Sequence, residues 1–320
     1  MTRSEQPLSG SVALVTGATR GIGKGIAIEL GTAGATVYFT GRSTSEDPER
    51  PGTIAATADE IAEVGGRAVP IRCDHHVDAE VAGVFERIRK DEGRLDILVN
   101  NATAEMGSMV GKRFWELPIE LWDDVIGVGL RSHYVASVHA APLMISQRDG
   151  LIVNVSSHGS REYLMGVIYG VGKAGVEKLT TDMSKELREH GVAVISIWPG
   201  LVIGQNRLVH AERQADGKLT LFGLDLSDAE TPAFPGRGVV ALATDPERIE
   251  RTGRAFWGAE LAEDYGFTDV DGSIPDARKL HEQLKKNAPP FWKGVLIPRD
   301  LVSLRGGLDE NLFVYAWACH

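Results

Sequence analysis

Apolar residues along this chain switch repeatedly between two spacings. Short continuous runs at Val12-Ala13-Leu14-Val15, Thr36 to Thr40, Ala68 to Ile71, Leu95 to Val99, Leu151 to Val155, Val192 to Ile197 and Ala255-Phe256-Trp257 have the length and β-branched content of buried strands. Between them the spacing becomes helical. Ile22, Ile26, Ala27 and Leu30 share one helical face, as do Val176, Leu179, Met183 and Leu187. Further helices are predicted up to about Val64, from Ala79 to Glu92, from Pro118 to about Ser146 and from Gly238 to Thr244, with Pro118 suited to a first turn. Strands that alternate with helices predict an α/β fold, a doubly wound parallel sheet of the Rossmann type, with its site beyond the carboxyl ends of the strands. No repeat or low-complexity tract interrupts the pattern.

Composition narrows the class. A chain of 320 residues with 43% hydrophobic content suits one large domain with an appendage, or two small ones. Its net charge of −10 repels phosphate backbones, so no nucleic-acid role is expected. Cys73 and Cys319 give no disulfide framework, and the polar stretch Met1 to Gly10 lacks the apolar core of a signal peptide. No run approaches the ~18 apolar residues of a membrane span, so a cytoplasmic protein is expected. His75 and His76 are adjacent and cannot share a helical face, so no metal is expected there.

Two stretches carry candidate chemistry. Gly17, Gly21 and Gly23 fall between the first strand and its helix, where glycine permits a tight turn and the helix N-terminus offers N–H groups to a pyrophosphate. Tyr169 and Lys173 are four apart, on one face of a helix that follows Ser156-Ser157. An ammonium beside a phenol favours the phenolate, so the Tyr169 pKa is expected to fall towards neutrality and allow proton exchange with a substrate oxygen.

Thr16-Gly17-Ala18-Thr19-Arg20-Gly21-Ile22-Gly23, Asn100-Asn101-Ala102 and Tyr169 with Lys173 together resemble the short-chain dehydrogenase/reductase family, in order and spacing from about residue 8 to 257. Asp123-Asp124, Val128-Gly129-Leu130-Arg131, Trp198-Pro199-Gly200 and Tyr265 to Gly272 are similar to one particular branch of it. The resemblance implies that residues 1–257 form an NADP-binding catalytic domain and that 258–320 are an extension packed on its body. It implies hydride transfer between NADP(H) and a carbonyl or secondary alcohol, here a lipophilic ketone of steroid-like or xenobiotic type, by a homo-oligomeric enzyme. Ser157 is the expected catalytic serine, with Ser156 as the alternative and one residue deleted from the loop before Tyr169. Thr19, Arg20 and Ile22 are expected to meet the cofactor with the glycines. NAD-preferring relatives carry an acidic residue at Gly41, whereas this chain offers Arg42 and Arg20, whose guanidinium forks suit a 2′-phosphate.

The same resemblance gives Asp74 to the adenine amino group, although an Asp after a strand is equally an ordinary turn residue. It gives Asn100 and Ala102 to the cofactor wall, Pro199, Gly200 and Val202 to the nicotinamide, and residues 205–235 to a lid over substrate. Thr103 stands where the family has glycine, Gly129 where it has its fourth catalytic residue, an asparagine, and Gly204 where it has threonine. Gln205 or Asn206 is a candidate replacement for that hydroxyl. These departures motivate the alternative of a non-catalytic nucleotide-binding scaffold. Beyond Gly258, the apolar segments Pro289 to Trp292 and Phe313 to Trp317 are expected to dock on the body.

Overall fold

The structure, a computed structural model, describes residues 6–45, 51–105, 109, 112–204, 212–214, 219–221, 224–279 and 282. Gln205, Asn206, Cys319, Pro289 to Trp292 and Phe313 to Trp317, and with them the docking expected of the last two segments, lie outside the described residues.

The first half of the chain alternates as its pattern predicts. β1 (Val12–Val15) leads to α1 (Gly21–Thr32), β2 (Thr36–Gly41), α2 (Ile54–Glu63), β3 (Arg67–Arg72), α3 (Asp78–Glu92) and β4 (Ile97–Asn100). Then come α4 (Glu120–Ile126), α5 (Ser132–Gln147), β5 (Gly150–Val155), α6 (Val167–Leu187) and β6 (Val192–Trp198). β7 (Glu212–Arg213), β8 (Leu219–Leu221) and β9 (Leu224–Asp225) form a small antiparallel sheet. α7 (Ala233–Thr244), β10 (Ala255–Trp257) and α8 (Gly258–Tyr265) follow.

Seven parallel strands pair in the order β10-β6-β5-β4-β1-β2-β3. Consecutive residues of each strand point to opposite faces, so both faces are apolar and both are covered. On one face Val15, Phe39 and Val153 pack with Ile22, Ile26 and Leu30 of α1 and Val239 and Leu242 of α7. On the other, Leu14, Leu98 and Ile152 meet Val84, Phe85 and Ile88 of α3 and Ala136, Ala140 and Met144 of α5. The chain order reverses between β1 and β4, which opens a crevice at their carboxyl ends. Register aligns Val15 with Val99, Asn100 with Asn154 and Asn154 with Ser196, so the segments that leave these strands share one rim.

The sequence expectations shift at several boundaries. β4 begins at Ile97 rather than Leu95, because Asp96 turns its carboxylate to the Val12 N–H (2.7 Å). The long helix from Pro118 is not uniform: Gly127–Arg131 forms a π turn between α4 and α5, with Ser132 Oγ donating to Val128 O at 2.6 Å. α7 begins at Ala233 rather than Gly238. Pro235 and Gly236 argue against a helix locally, but Pro is tolerated in a first turn, and Gly236 lies close against Glu29 and Gly25 O of α1. The span 205–235, expected as a lid over substrate, contains β7, β8, β9 and the start of α7 among its described residues. No helix among the described residues is long and apolar enough to cross a membrane.

Candidate active site

The turn after β1 is built to leave main-chain N–H groups facing the crevice. Gly17 and Gly21 have φ of 69° and 55°, a region that strains any residue with a Cβ. A Cβ on Gly17 would also stand 2.8 Å from Ala102 Cα, and one on Gly23 would strike the Asn101 amide. No side chain caps α1, whose N-cap is Arg20, so the first turn and its positive dipole end remain open to an anion. Thr19 is buried beside this turn, and the fully buried Ile22 side chain leaves only main chain for a cofactor. The residues present therefore fit a dinucleotide pyrophosphate.

Asn101 braces this turn, and its part was not legible beforehand. Its amide donates to Thr16 O and Gly17 O, both at 2.9 Å, while Thr16 Oγ1 accepts from the N–H groups of Asn101 and Ala102 at 2.9 and 3.0 Å. Thr40 Oγ1 accepts from Gly17 N at 3.1 Å and meets His75 Nε2 at 2.8 Å. Burial keeps that imidazole neutral, its pKa lowered to about 4. His76 faces Asp124 at 3.5 Å, and no group of His, Cys, Asp and Glu among the described residues is arranged to hold a metal.

At the end of β2 a Cβ on Gly41 would collide with Thr19 Cγ2, which gives a packing reason for the missing acidic residue. Arg20 Nη2 donates to Ser43 Oγ at 2.8 Å, and Arg42, more than half exposed, has a guanidinium nitrogen 3.8 Å from Asp74 Oδ2. The other oxygen of Asp74 accepts from His76 N at 3.0 Å, so the turn-residue reading of Asp74 holds geometrically. Arg20, Arg42 and Ser43 therefore lie together at the end of β2.

Asn100 does not face the crevice with its side chain. Fully buried, it donates to Asn154 Oδ1 at 2.9 Å and Ser137 Oγ at 3.1 Å, and Asn154 donates to Thr180 Oγ1 at 2.9 Å. This chain of bonds ties β4 and β5 to α5 and α6. Ala102, also buried, accepts through its carbonyl from the His133 ring at 3.1 Å, and His133 is kept neutral by burial and by Lys173, its pKa lowered to about 3.

Ser157, Tyr169 and Lys173 converge, all buried, at the end of β5 and the start of α6. Ser157 Oγ accepts from Gly159 N at 3.0 Å and lies near enough to the Tyr169 hydroxyl to lower its pKa. Ser156 is wholly buried and its Oγ has no partner among the described residues, so the geometry brings Ser157, and not Ser156, to the tyrosine. Gly159 admits the ring, since a Cβ there would stand 2.7 Å from Tyr169 Cε1. Lys173 Nζ donates to Val155 O at 3.1 Å and lies 5.8 Å from the Tyr169 ring centroid.

The expected fall in the Tyr169 pKa is not found. Burial pushes it up to about 12, opposed by the nearby Ser157 hydroxyl, while the Lys173 ammonium is turned to the Val155 carbonyl. Burial also lowers Lys173 to about 8, with Glu177 acting in the opposite direction.

Pro199 and Gly200 follow β6, and Val202 bridges to Glu230, a residue absent from the sequence expectations. Among the described residues, a Cβ on Gly204 would meet Pro232 Cγ at 4.0 Å. The segment after α8 reaches this loop: a Cβ on Gly200 would collide with Ala277, and Asp269 accepts from Thr231 N at 2.8 Å. Phe267 packs on Phe234 at 5.3 Å, and Arg237 donates to Asp269 O at 3.0 Å.

A parallel sheet whose glycine turn lies at its switch point defines an α/β protein of the dinucleotide-binding class. The profile of the short chain dehydrogenase family matches residues 11–214, and the chain belongs to that family of oxidoreductases. It is similar to dehydrogenase/reductase SDR family member 1 of Homo sapiens, 45% identical over 300 residues (91% of this chain, 94% of the relative), and to the Mus musculus protein of that name, 42% identical with the same coverage. That is the branch its segments resembled. Among solved structures, a metagenomic short-chain oxidoreductase in complex with NADP is 31% identical with a TM-score of 0.62, covering 78% of this chain and 97% of the other. A short-chain type dehydrogenase/reductase from Mycobacterium marinum is 25% identical with a TM-score of 0.61, covering 78% and 94%.

Proposed function

We propose that this chain is an NADP(H)-dependent carbonyl reductase, a reading carried by the buried contact of Ser157 with Tyr169 beside Lys173, next to an open glycine turn. When bound, the nicotinamide cofactor supplies the hydride that forms the new C–H bond. Tyr169, protonated at neutral pH, gives its proton to the carbonyl oxygen, and Ser157 donates a hydrogen bond to that oxygen. Lys173 remains mostly charged at neutral pH; it answers the phenolate and holds the nicotinamide ribose. Arg20 and Arg42 favour NADP(H) over NAD(H), as the NADP complex of a related oxidoreductase supports.

A lipophilic ketone suits the surroundings. Met109, Leu121, Val125, Leu164 and Ile168 cluster with Tyr169, with Leu117 and Met165 partly buried against them. We further infer a homo-oligomer: Tyr134 and Val138 on α5 and Val167 and Val171 on α6 are exposed apolar pairs, one turn apart on neighbouring helices. Cys73, a buried free thiol raised to about 12, suits a reducing, cytoplasmic setting. Residues 1–257 are taken as the catalytic domain and 258–320 as its extension, supported by the packing of Phe267 and Ala277.

A panel of steroid-like and xenobiotic ketones, followed by loss of NADPH absorbance, tests the activity. Turnover that is lost in Tyr169→Phe is the expected result. NADPH binding with no turnover on any carbonyl would instead mark a nucleotide-binding scaffold.

A further inference from the structure

Glu230 lies between β9 and α7, outside the Ser157, Tyr169 and Lys173 group, and is 1% exposed. Its Oε1 accepts from Gly200 N at 2.8 Å. Its own N–H donates to Leu201 O at 2.8 Å, and its carbonyl accepts from Ile203 N at 2.7 Å. One residue thus grips successive peptide groups of the Gly200–Ile203 loop, with side chain and main chain together. The second carboxyl oxygen has no hydrogen-bond partner among the described residues. Nearby charges are carboxylates, Asp269 and Asp276, each held by other groups: Asp269 by Thr231, Asp276 by Arg278. A buried polar group left half-satisfied is costly, and it persists where surrounding structure over-determines it.

We propose that Glu230 is a positioning residue which fixes the main chain of the Pro199–Ile203 loop, and thereby sets how tightly the nicotinamide half of the dinucleotide is held. Gly200 is enclosed between this carboxyl and Ala277, so the loop has no second place to rest while both remain. The adenosine half is bound elsewhere, at the glycine turn and the end of β2, and does not depend on this grip. The proposal rests on the nucleotide reading above, which assigns the loop to the nicotinamide.

The test titrates two probes, NADPH and 2′,5′-ADP, against the parent chain and the variants Glu230→Gln, Glu230→Ala and Glu230→Asp. Gln keeps an acceptor for Gly200 N and is expected to match the parent. Ala removes the acceptor and Asp withdraws it by one methylene; each is expected to weaken NADPH about tenfold or more while 2′,5′-ADP binds as before. If Ala fails to fold, Asp decides. Unchanged NADPH affinity in the shortened variants, or an equal loss for both probes, would overturn the proposal while leaving the nucleotide reading standing. A parent chain that binds neither probe would remove that reading, and this proposal with it.

Discussion

The Thr103 hydroxyl lies 3.4 Å from the point at which a Cβ on Gly129 would stand, so two of the positions where this chain departs from its family's pattern face each other. An asparagine side chain added at Gly129 grows towards the Thr103 hydroxyl and into the π turn. Gly129→Asn alone is expected to change kcat by less than about tenfold in an enzyme that is active as it stands, since bound water can bridge nearly as well as an amide. Combined with Thr103→Gly, its effect is expected to be non-additive by about 0.5–3 kcal/mol, the range for residues in contact. A double-mutant cycle on kcat checks this, and strict additivity would show the two departures to be independent.

Tyr169→Phe is expected to lower kcat at least about 100-fold, the low end for acid–base catalysis, with NADPH affinity nearly intact because the ring still packs against Gly159. Single-turnover kinetics with a binding titration separates the two effects. A smaller loss would take the proton transfer away from Tyr169.

Preference for NADP(H) over NAD(H) is expected to be about tenfold or more, since charge-assisted contacts to the 2′-phosphate are worth roughly 1.5–3 kcal/mol each. Arg42→Asp is expected to reverse it. Gly41→Asp is expected to fail as a route to NAD, because its Cβ collides with Thr19 before the carboxylate can reach a ribose. Ratios of kcat/KM for the two cofactors decide, and parity in the parent chain would remove Arg20 and Arg42 from the account.

Stability should carry the mark of Glu230 in its pH dependence. Burial raises this carboxyl from 4.5 to about 8, so the folded chain keeps a proton that the unfolded chain releases. The contribution is fully present below the unfolded pKa and is lost as pH rises towards 8. His75 and His133 act in the opposite sense: lowered to about 4 and about 3, they stabilise the fold above pH 6.5 and lose that contribution as pH falls. Glu230→Gln cannot ionise, so its melting temperature relative to the parent is expected to rise between pH 5 and pH 8.5. A difference that stays flat would mean that the carboxyl titrates in its ordinary range.

Much of this arrangement was legible because its signals are local. The apolar strands, the glycine turn and the Tyr169–Lys173 spacing each lie within one short stretch, and each stands where the pattern puts it. What the pattern missed depends on distant partners. Asn101 braces Gly17 across 84 positions of sequence, Glu230 holds Gly200 across 30, and α7 starts early against local propensity because it packs on α1. The Tyr169 pKa was misjudged in direction for a related reason. Sequence showed the nearby lysine, but not that the phenol would be buried or that the lysine ammonium would turn to Val155.

Trp198 and Trp257 meet edge to face at 5.4 Å at the ends of β6 and β10, with His158 stacked 5.0 Å from Trp257 and the Arg161 guanidinium 4.8 Å from Trp198. Trp198 is also the residue before Pro199, so the cleft carries its own fluorophores at the loop proposed to receive the nicotinamide. A reduced nicotinamide ring settling there would accept excitation energy from the indoles, and their emission would dim as it arrived. Arrival of the cofactor can then be watched in the native protein by its own light, without a dye or a label.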